Sequence, residues 1–377
     1  MINVFRYRLY PSPSQCGRLE STLETCRRFY NDCLLERKAV YEMEGRTVTK
    51  TEQLRRVKVR KANNPYAADV HSHVLQLVVT DLDKAFQAFF LRLNAAENPG
   101  YPRFKKLSRF RSFGFKELGN GFKIDGRRLR LSGIGRIAVR WHRPMEGTIK
   151  TLRVTRKAGK WYASFCCEVE IQPLPDLKAE VGIDVGLSNL LVLSTGEKIE
   201  NPRWYRHSQL KQRVLQRSVA RKKKGGSNRR KAIRRLSAHA ERVANQRKDY
   251  LNKLVNSLVG RFGKIAIEDL SVNRMVHGNL AKSILDAGWG FFKQRLLAKA
   301  ENAGRQVALV NPAYTTQDCC QCGHRQKLAL KDRWYSCLCG NSQDRDENAA
   351  INVLGLGQSL WASSSTMVGL AQEAVGL

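Results

Sequence analysis

Two short apolar runs, VGIDVG and KIAIEDL, each stop at an acid, Asp184 in the first and Glu268 in the second. Runs of four or five apolar residues bounded by charge and glycine read as buried strands. Around them lie a long polar helical stretch from about 205 to 260, a helix around 284 to 303, the strand QVALV and a helix through AAINVLGLG. Strands alternating with helices imply an α/β layer, with the two acids at strand ends. Taken singly, each acid has an ordinary role, since Asp-x-Gly is a common turn and Asp346 in DRDEN stands where a helix cap is expected. Together, three carboxylates at strand ends and a helix start have the logic of two-metal phosphodiester hydrolysis, in which hard Mg²⁺ ions take oxygen ligands. Only seven histidines are present, none paired at ligand spacing beside these acids, so a zinc hydrolase fits less well.

Charge names the substrate class. Lys and Arg number 67 against 33 Asp and Glu, a surplus of +34 that calls for a polyanionic partner. Residues 206 to 248 hold sixteen cations and one acid, Glu241, including the block RKKKGGSNRRKAIRR. A solvated helical face normally mixes signs to gain i,i+4 pairs, and this one does not. Without it the chain still carries +19, so the charge spreads over several modules and implies a long nucleic-acid path. Nucleic-acid contacts are expected at Arg103, Lys105 and Lys106 in GYPRFKK, and at Arg221, Lys222, Lys223, Lys224, Arg229 and Arg230 in the basic block.

The N-terminal half has a different texture. INVFRYRLY alternates as a strand, and Ser12-Pro13 starts a helix. Leu19, Leu23, Cys26, Tyr30 and Leu34 fall on one helical face. Val74, Leu75, Val78, Leu82, Phe86 and Phe89 fall on another, behind a Ser72 cap. From Tyr101 to Glu170 short alternating segments predict a β-barrel. Its eighteen basic residues between 100 and 160 are interleaved with Tyr101, Phe104, Phe110, Phe113, Phe115, Phe122 and Trp141, rings suited either to the barrel core or to stacking on bases. No membrane-length apolar run and no secretory leader are evident, so the expectation is a soluble cytoplasmic protein, nucleoid-associated in a prokaryotic host.

Five of ten cysteines crowd together, as Cys319-Cys320-Gln321-Cys322-Gly323 and, fourteen residues on, Cys337-Leu338-Cys339-Gly340. Two knuckles, each followed by glycine, resemble a zinc ribbon, with Cys319, Cys322, Cys337 and Cys339 holding one structural Zn²⁺. The second knuckle is C-x-C, one residue short of the usual bite. Three readings stay open: all four thiolates bind, Cys320 or His324 substitutes, or the site is metal-free.

The ordered motifs FRYRLYPS, GYPRFKK, GRIAVRWHRP, AGKWYASFCCE, GIDVGLSNL, IAIEDLSVNRM, NLAKSILDAGWGFF, TTQDCCQCG and DRDENAAINVL resemble the TnpB family, transposon-encoded RNA-guided nucleases similar to type V CRISPR effectors, across nearly the whole chain. The resemblance implies a multidomain α+β protein. A β-barrel wedge domain (1–11 and 98–178) is interrupted by a helical recognition domain (12–97), and a RuvC/RNase H-like nuclease domain follows (179–310 and 341–357). A zinc ribbon (311–340) is inserted before its last motif, and 358–377 form a tail without an assigned role. It implies that Asp184, Glu268 and Asp346 are the catalytic acids and hold two Mg²⁺, with Asp344 supporting the loop and Asn348 beginning the helix behind it. It also implies a guide RNA from the transposon end and double-stranded target DNA as partners. Two rival functions stay open: a nuclease-inactive RNA-guided DNA-binding protein, and a transposase that performs strand transfer itself.

Overall fold

The computed structural model describes residues 1–171, 173–329 and 332–374. In the first of two units, Met1–Glu170, β1 (Ile2–Tyr10) buries Phe5, Tyr7 and Leu9 at every second position. Ser12 then caps α1 (Pro13–Glu44), accepting the Gln15 N–H while the Gln15 side chain accepts the Ser12 N–H. The predicted stripe of α1 is buried from Leu19 to Leu34, and the helix ends at Gly45, whose φ of 63° suits a residue without Cβ. Next come α2 (Lys50–Ala62), α3 (Pro65–Ala68) and α4 (Ser72–Asn94). Ser72 is the first residue of α4 and not its cap; that role falls to His71, whose Nδ1 accepts the His73 N–H.

Seven further strands complete this unit: β2 (Ser112–Phe115), β3 (Glu117–Leu118), β4 (Gly121–Asp125), β5 (Arg128–Leu131), β6 (Gly135–Arg140), β7 (Thr148–Lys157) and β8 (Lys160–Glu168). The sheet order is β2-β7-β8-β1-β6-β5-β4-β3, with β3 returning beside β7. β1 lies antiparallel between β8 and β6 although four helices separate it from them in sequence. The helices and the sheet share one core, in which Leu19, Leu34, Val74 and Leu82 meet Tyr7, Phe113 and Phe165. Phe113, Phe115 and Phe122 belong to that core, and Phe110 and Trp141 pack against it. Tyr101 and Phe104 stay exposed, with Lys38 Nζ 5.2 and 5.1 Å from their ring centres.

The second unit starts at Ile171. Its elements are β9 (Glu180–Val185), β10 (Asn189–Leu193), β11 (Lys198–Glu200), α5 (Trp204–Ala220), α6 (Ser227–Arg261), β12 (Lys264–Glu268), α7 (Val272–Met275), α8 (Ala281–Ala287), α9 (Trp289–Asn302), β13 (Gln306–Val310), β14 (Trp334–Ser336), β15 (Ser342–Asp344) and α10 (Arg345–Ala374). The helical stretch expected from about 205 to 260 consists of two helices, separated by a turn where Gly225 has φ 82°. That expected at 284 to 303 breaks at Gly288, φ 76°. The main sheet has the order β11-β10-β9-β12-β13, with β9–β10 and β10–β11 antiparallel and β9–β12 and β12–β13 parallel.

Alternation divides the central strands between two unlike faces. Val181, Ile183, Ile265 and Ile267 pack into a core with Leu251, Val255 and Leu258 of α6 and Phe292 and Leu296 of α9. The opposite face presents Gly182, Ala266 and Ala308, and α10 lies on it through Val353 and Trp361. The approach is close enough that a Cβ on Gly182 would stand 2.1 Å from the Ala350 carbonyl oxygen, and one on Gly357 would stand 2.4 Å from Ala266 Cβ. Of the segment expected as a tail, 358–374 continue α10 and 375–377 lie outside the described residues; Trp361 is buried in this layer.

Gly182→Ala is expected to lower the thermal midpoint of the second unit, since overpacking against helix backbone costs about 1–3 kcal/mol. Gly355→Ala, on the same helix but with open space around it, is expected to raise stability by up to ~1 kcal/mol through helix propensity. Equal effects in thermal melts would show that α10 does not seat on Gly182.

Candidate active site

Because side chains alternate, Asp184 faces the same way as Gly182, and Glu268 the same way as Ala266, both toward the α10 layer. The parallel pairing of Ile183 with Ile267 puts Asp184 and Glu268 on the next rung. Asp346 lies in the first turn of α10. Asp184 and Glu268 are 7% and 6% exposed, and Asp346 is half-buried.

Asp184 feels the other two acids. Burial pushes the Asp184 carboxyl well above the usual range, and the charges of Glu268 and Asp346 push it further. Burial likewise raises Glu268, against a hydrogen bond from Thr315. Burial and the neighbouring Asp344 raise Asp346. Oxygen-only donors grouped around a buried carboxyl whose ionisation is disfavoured fit a hard divalent cation, which would favour the ionised form.

Each neighbouring acid has a different occupation. Asp269 faces outward in an ion pair with Lys293 at 2.6 Å. Asp344 caps α10, accepting the N–H groups of Asp346 and Glu347 at 2.9 and 3.3 Å, while Lys198 binds its other oxygen at 2.9 Å. Burial alone would raise Asp344, but Lys198 and the two N–H groups hold it below the usual range. The helix starts at Arg345, three residues before Asn348, which is fully buried. Asn348 accepts the Cys320 N–H at 3.0 Å and donates to the Asp318 carbonyl at 2.7 Å, tying α10 to the cysteine region.

In that region Cys319, Cys322, Cys337 and Cys339 bring their sulfurs within 4.8 Å of one another. The pairs Cys319–Cys339 and Cys322–Cys337 are 3.6 Å apart, close to the roughly 3.8 Å that a tetrahedral site with 2.3 Å Zn–S bonds requires. The short second knuckle closes because Gly340, at φ 90°, turns the chain at once, with its N–H on the Cys337 carbonyl and the Cys337 N–H on the Asn341 carbonyl. Burial would raise the Cys319 thiol, yet the Cys322 and Gln321 N–H groups and the Asn341 amide outweigh it and bring it down to about 6. Cys320 turns away, toward Gln343 Nε2 at 2.9 Å, and neither it nor His324 joins the four.

The expected nucleic-acid contacts divide. Arg103, Lys106, Arg221, Lys223, Lys224 and Arg230 are exposed. Lys105 is half-buried, its ammonium 5.4 Å from the Tyr30 ring. Lys222 donates to Ser218, and Arg229 donates to the Val219 and Lys222 carbonyls, so these two close the α5–α6 turn. Sequence reasoning passed over Asp286, a buried acid that accepts the Tyr205 N–H at the start of α5 and a bond from Arg247. It also passed over Thr315, whose hydroxyl reaches Glu268. Only its place four residues before the first knuckle signals it.

Comparison with known proteins places these features in a family. Residues 164–278 match the family described as "Probable transposase", 289–353 match "Cas12f1-like, TNB domain", and 1–46 match "Helix-turn-helix domain". Residues 1–46 here hold β1 and the single helix α1. A "Putative RNA-guided DNA endonuclease" of Streptomyces pristinaespiralis is 35% identical over 362 residues, covering 94% of this chain and 89% of that protein. "Putative RNA-guided DNA endonuclease InsQ" of Escherichia coli K12 is 30% identical, covering 96% and 94%. "TnpB-like protein L79" of Acanthamoeba polyphaga mimivirus is 35% identical over 144 residues, covering 36% of this chain and 28% of that protein. With two relatives at 30% identity or more matched over nearly their whole length, this chain belongs to the TnpB family.

Proposed function

We propose that this protein is an RNA-guided, Mg²⁺-dependent endonuclease that cleaves target DNA and travels with a transposable element, with Asp184, Glu268 and Asp346 as its catalytic acids. The observation that carries the reading is the placement of these acids, from β9, β12 and α10, around the buried Asp184, whose proton affinity is raised by burial and then by the charges of Glu268 and Asp346. Three antiparallel strands followed by two parallel ones, with helices on both faces, support an RNase H-like, RuvC-type nuclease sheet. The names of two relatives matched over nearly their whole length support guidance by RNA and DNA as the substrate.

In this reading the three carboxylates supply hard oxygen donors, and Lys198 and the α10 N–H groups keep Asp344 engaged as a cap and out of the donor set. When bound, two Mg²⁺ ions supply the Lewis acidity for in-line displacement at phosphorus. The exposed cations Arg103, Lys106, Arg221, Lys223, Lys224 and Arg230 hold phosphates of guide RNA and heteroduplex, while base pairing selects the sequence. The guide derives from the transposon end. The first unit serves as wedge and recognition domains, and the four thiolates hold one structural zinc.

The purified protein is expected to carry a discrete RNA and to cut a matched plasmid when Mg²⁺ is present. Asp184→Ala is expected to cut at least about 10³-fold more slowly, the order of loss when an essential catalytic group is removed. Binding without cleavage by the unmutated protein, or transposon-end joining without RNA, would replace this reading with one of its rivals.

The raised Asp184 pKa has a stability consequence of definite sign. The folded state holds this proton more tightly than the unfolded chain, so the contribution is complete below the unfolded value and disappears as pH rises through the folded one. Without added Mg²⁺ near pH 7.5, Asp184→Asn should therefore melt higher than the unmutated chain, by about 2–4 °C per kcal/mol of relieved repulsion in a unit of this size. The gain should shrink on acidification. Added Mg²⁺ should raise the midpoint of the unmutated protein alone. Elemental analysis should find one zinc per chain, and less in Cys337→Ser.

A further inference from the structure

Among the described residues, the hydroxyl of Thr315 donates to Glu268 Oε1 at 2.7 Å, and Thr315 itself is 3% exposed. A hydroxyl has one proton to give. Its other neighbour, the Pro312 carbonyl, stands farther off at 3.2 Å, so the carboxylate has the better claim. Thr315 is in turn held from α10. The Asn352 amide donates to the Thr315 carbonyl at 2.8 Å and to the Asp318 carbonyl at 2.7 Å. Asn352 lies six residues after Asp346 on the same helix. One helix therefore carries one acid of the cluster and fixes the residue that orients another. At this depth no bulk water stands ready to replace the hydroxyl.

We propose that Thr315 is a positioning residue of the nuclease centre: by holding Oε1 of Glu268 it stops the carboxylate from rotating and leaves Oε2 free to ligate a divalent cation. The inference rests on the reading that Glu268 ligates a divalent ion. Groups that orient a metal ligand in this way typically account for about 10- to 100-fold in metal affinity. Threonine suits the task because its methyl fills buried space while its oxygen makes the bond, so valine removes the bond and keeps the shape.

The test is Mn²⁺ binding to the full-length chain, read from the free-ion paramagnetic resonance signal, with Asp184→Ala defining the background from other sites. Thr315→Val should weaken the Asp184-dependent site at least about ten-fold, Thr315→Ser should restore it to within about two-fold, and zinc content should be unchanged in both. Unaltered Mn²⁺ affinity in Thr315→Val would overturn the proposal. So would equal loss in the valine and serine variants, which would assign the effect to packing. If the unmutated chain shows no Asp184-dependent Mn²⁺ site, the proposed metal centre itself fails and takes this inference with it; the failure of Thr315 alone leaves that centre standing.

Discussion

The second unit depends on how near α10 can come to the sheet. Gly182, Ala266 and Ala308 leave the middle of one face of β9, β12 and β13 lined by very small residues, and the helix backbone takes up the room. Dispersion at such short range is gained along the whole interface, but any added methyl at Gly182 meets a carbonyl oxygen and has nowhere to go. The opposite face is filled by Val181, Ile183, Ile265 and Ile267 against α6 and α9. One strand thus serves two layers of different thickness. The thin layer is where Asp184 and Glu268 emerge.

That arrangement gathers negative charge in a place that resists it. Three acids on three elements are brought together by packing that does not involve their own side chains, and burial makes each harder to ionise. Such a cluster is a cost to the fold that a bound cation would offset. The neighbouring acids are each paired in another direction, Asp344 with Lys198 and Asp269 with Lys293. The separation between paired and crowded carboxylates distinguishes a site from a merely acidic surface.

The cysteine region is coupled to the same helix. Asn348 and Asn352, four residues apart on α10, hold Cys320 N–H, Thr315 O and Asp318 O. Asn348 is fully buried and Asn352 half-buried, so the Asn348 amide in particular would be stranded without these hydrogen bonds. The ribbon is thus braced against the helix that carries Asp346.

Much of this was legible in the linear order. Apolar runs ending in acids marked β9 and β12, the stripe from Leu19 to Leu34 marked the buried face of α1, and cysteine spacing marked the four thiols, because each signal is local and repeats with the period of its element. The motif order also singled out Asp346 beside Asp344. Other features were decided in three dimensions. Whether Asp184 and Glu268 face the same layer as Asp346 depends on which side of the sheet α10 covers, and that follows from small residues on separate strands acting together. Closure of the C-x-C knuckle depends on the left-handed turn at Gly340. The service of Lys222 and Arg229 as staples of a turn, and of Thr315 as a partner of Glu268, rests on contacts between residues that the chain brings together only on folding. Composition and period determined the elements and the chemistry available; close packing, a property of surfaces meeting, decided which groups would act together.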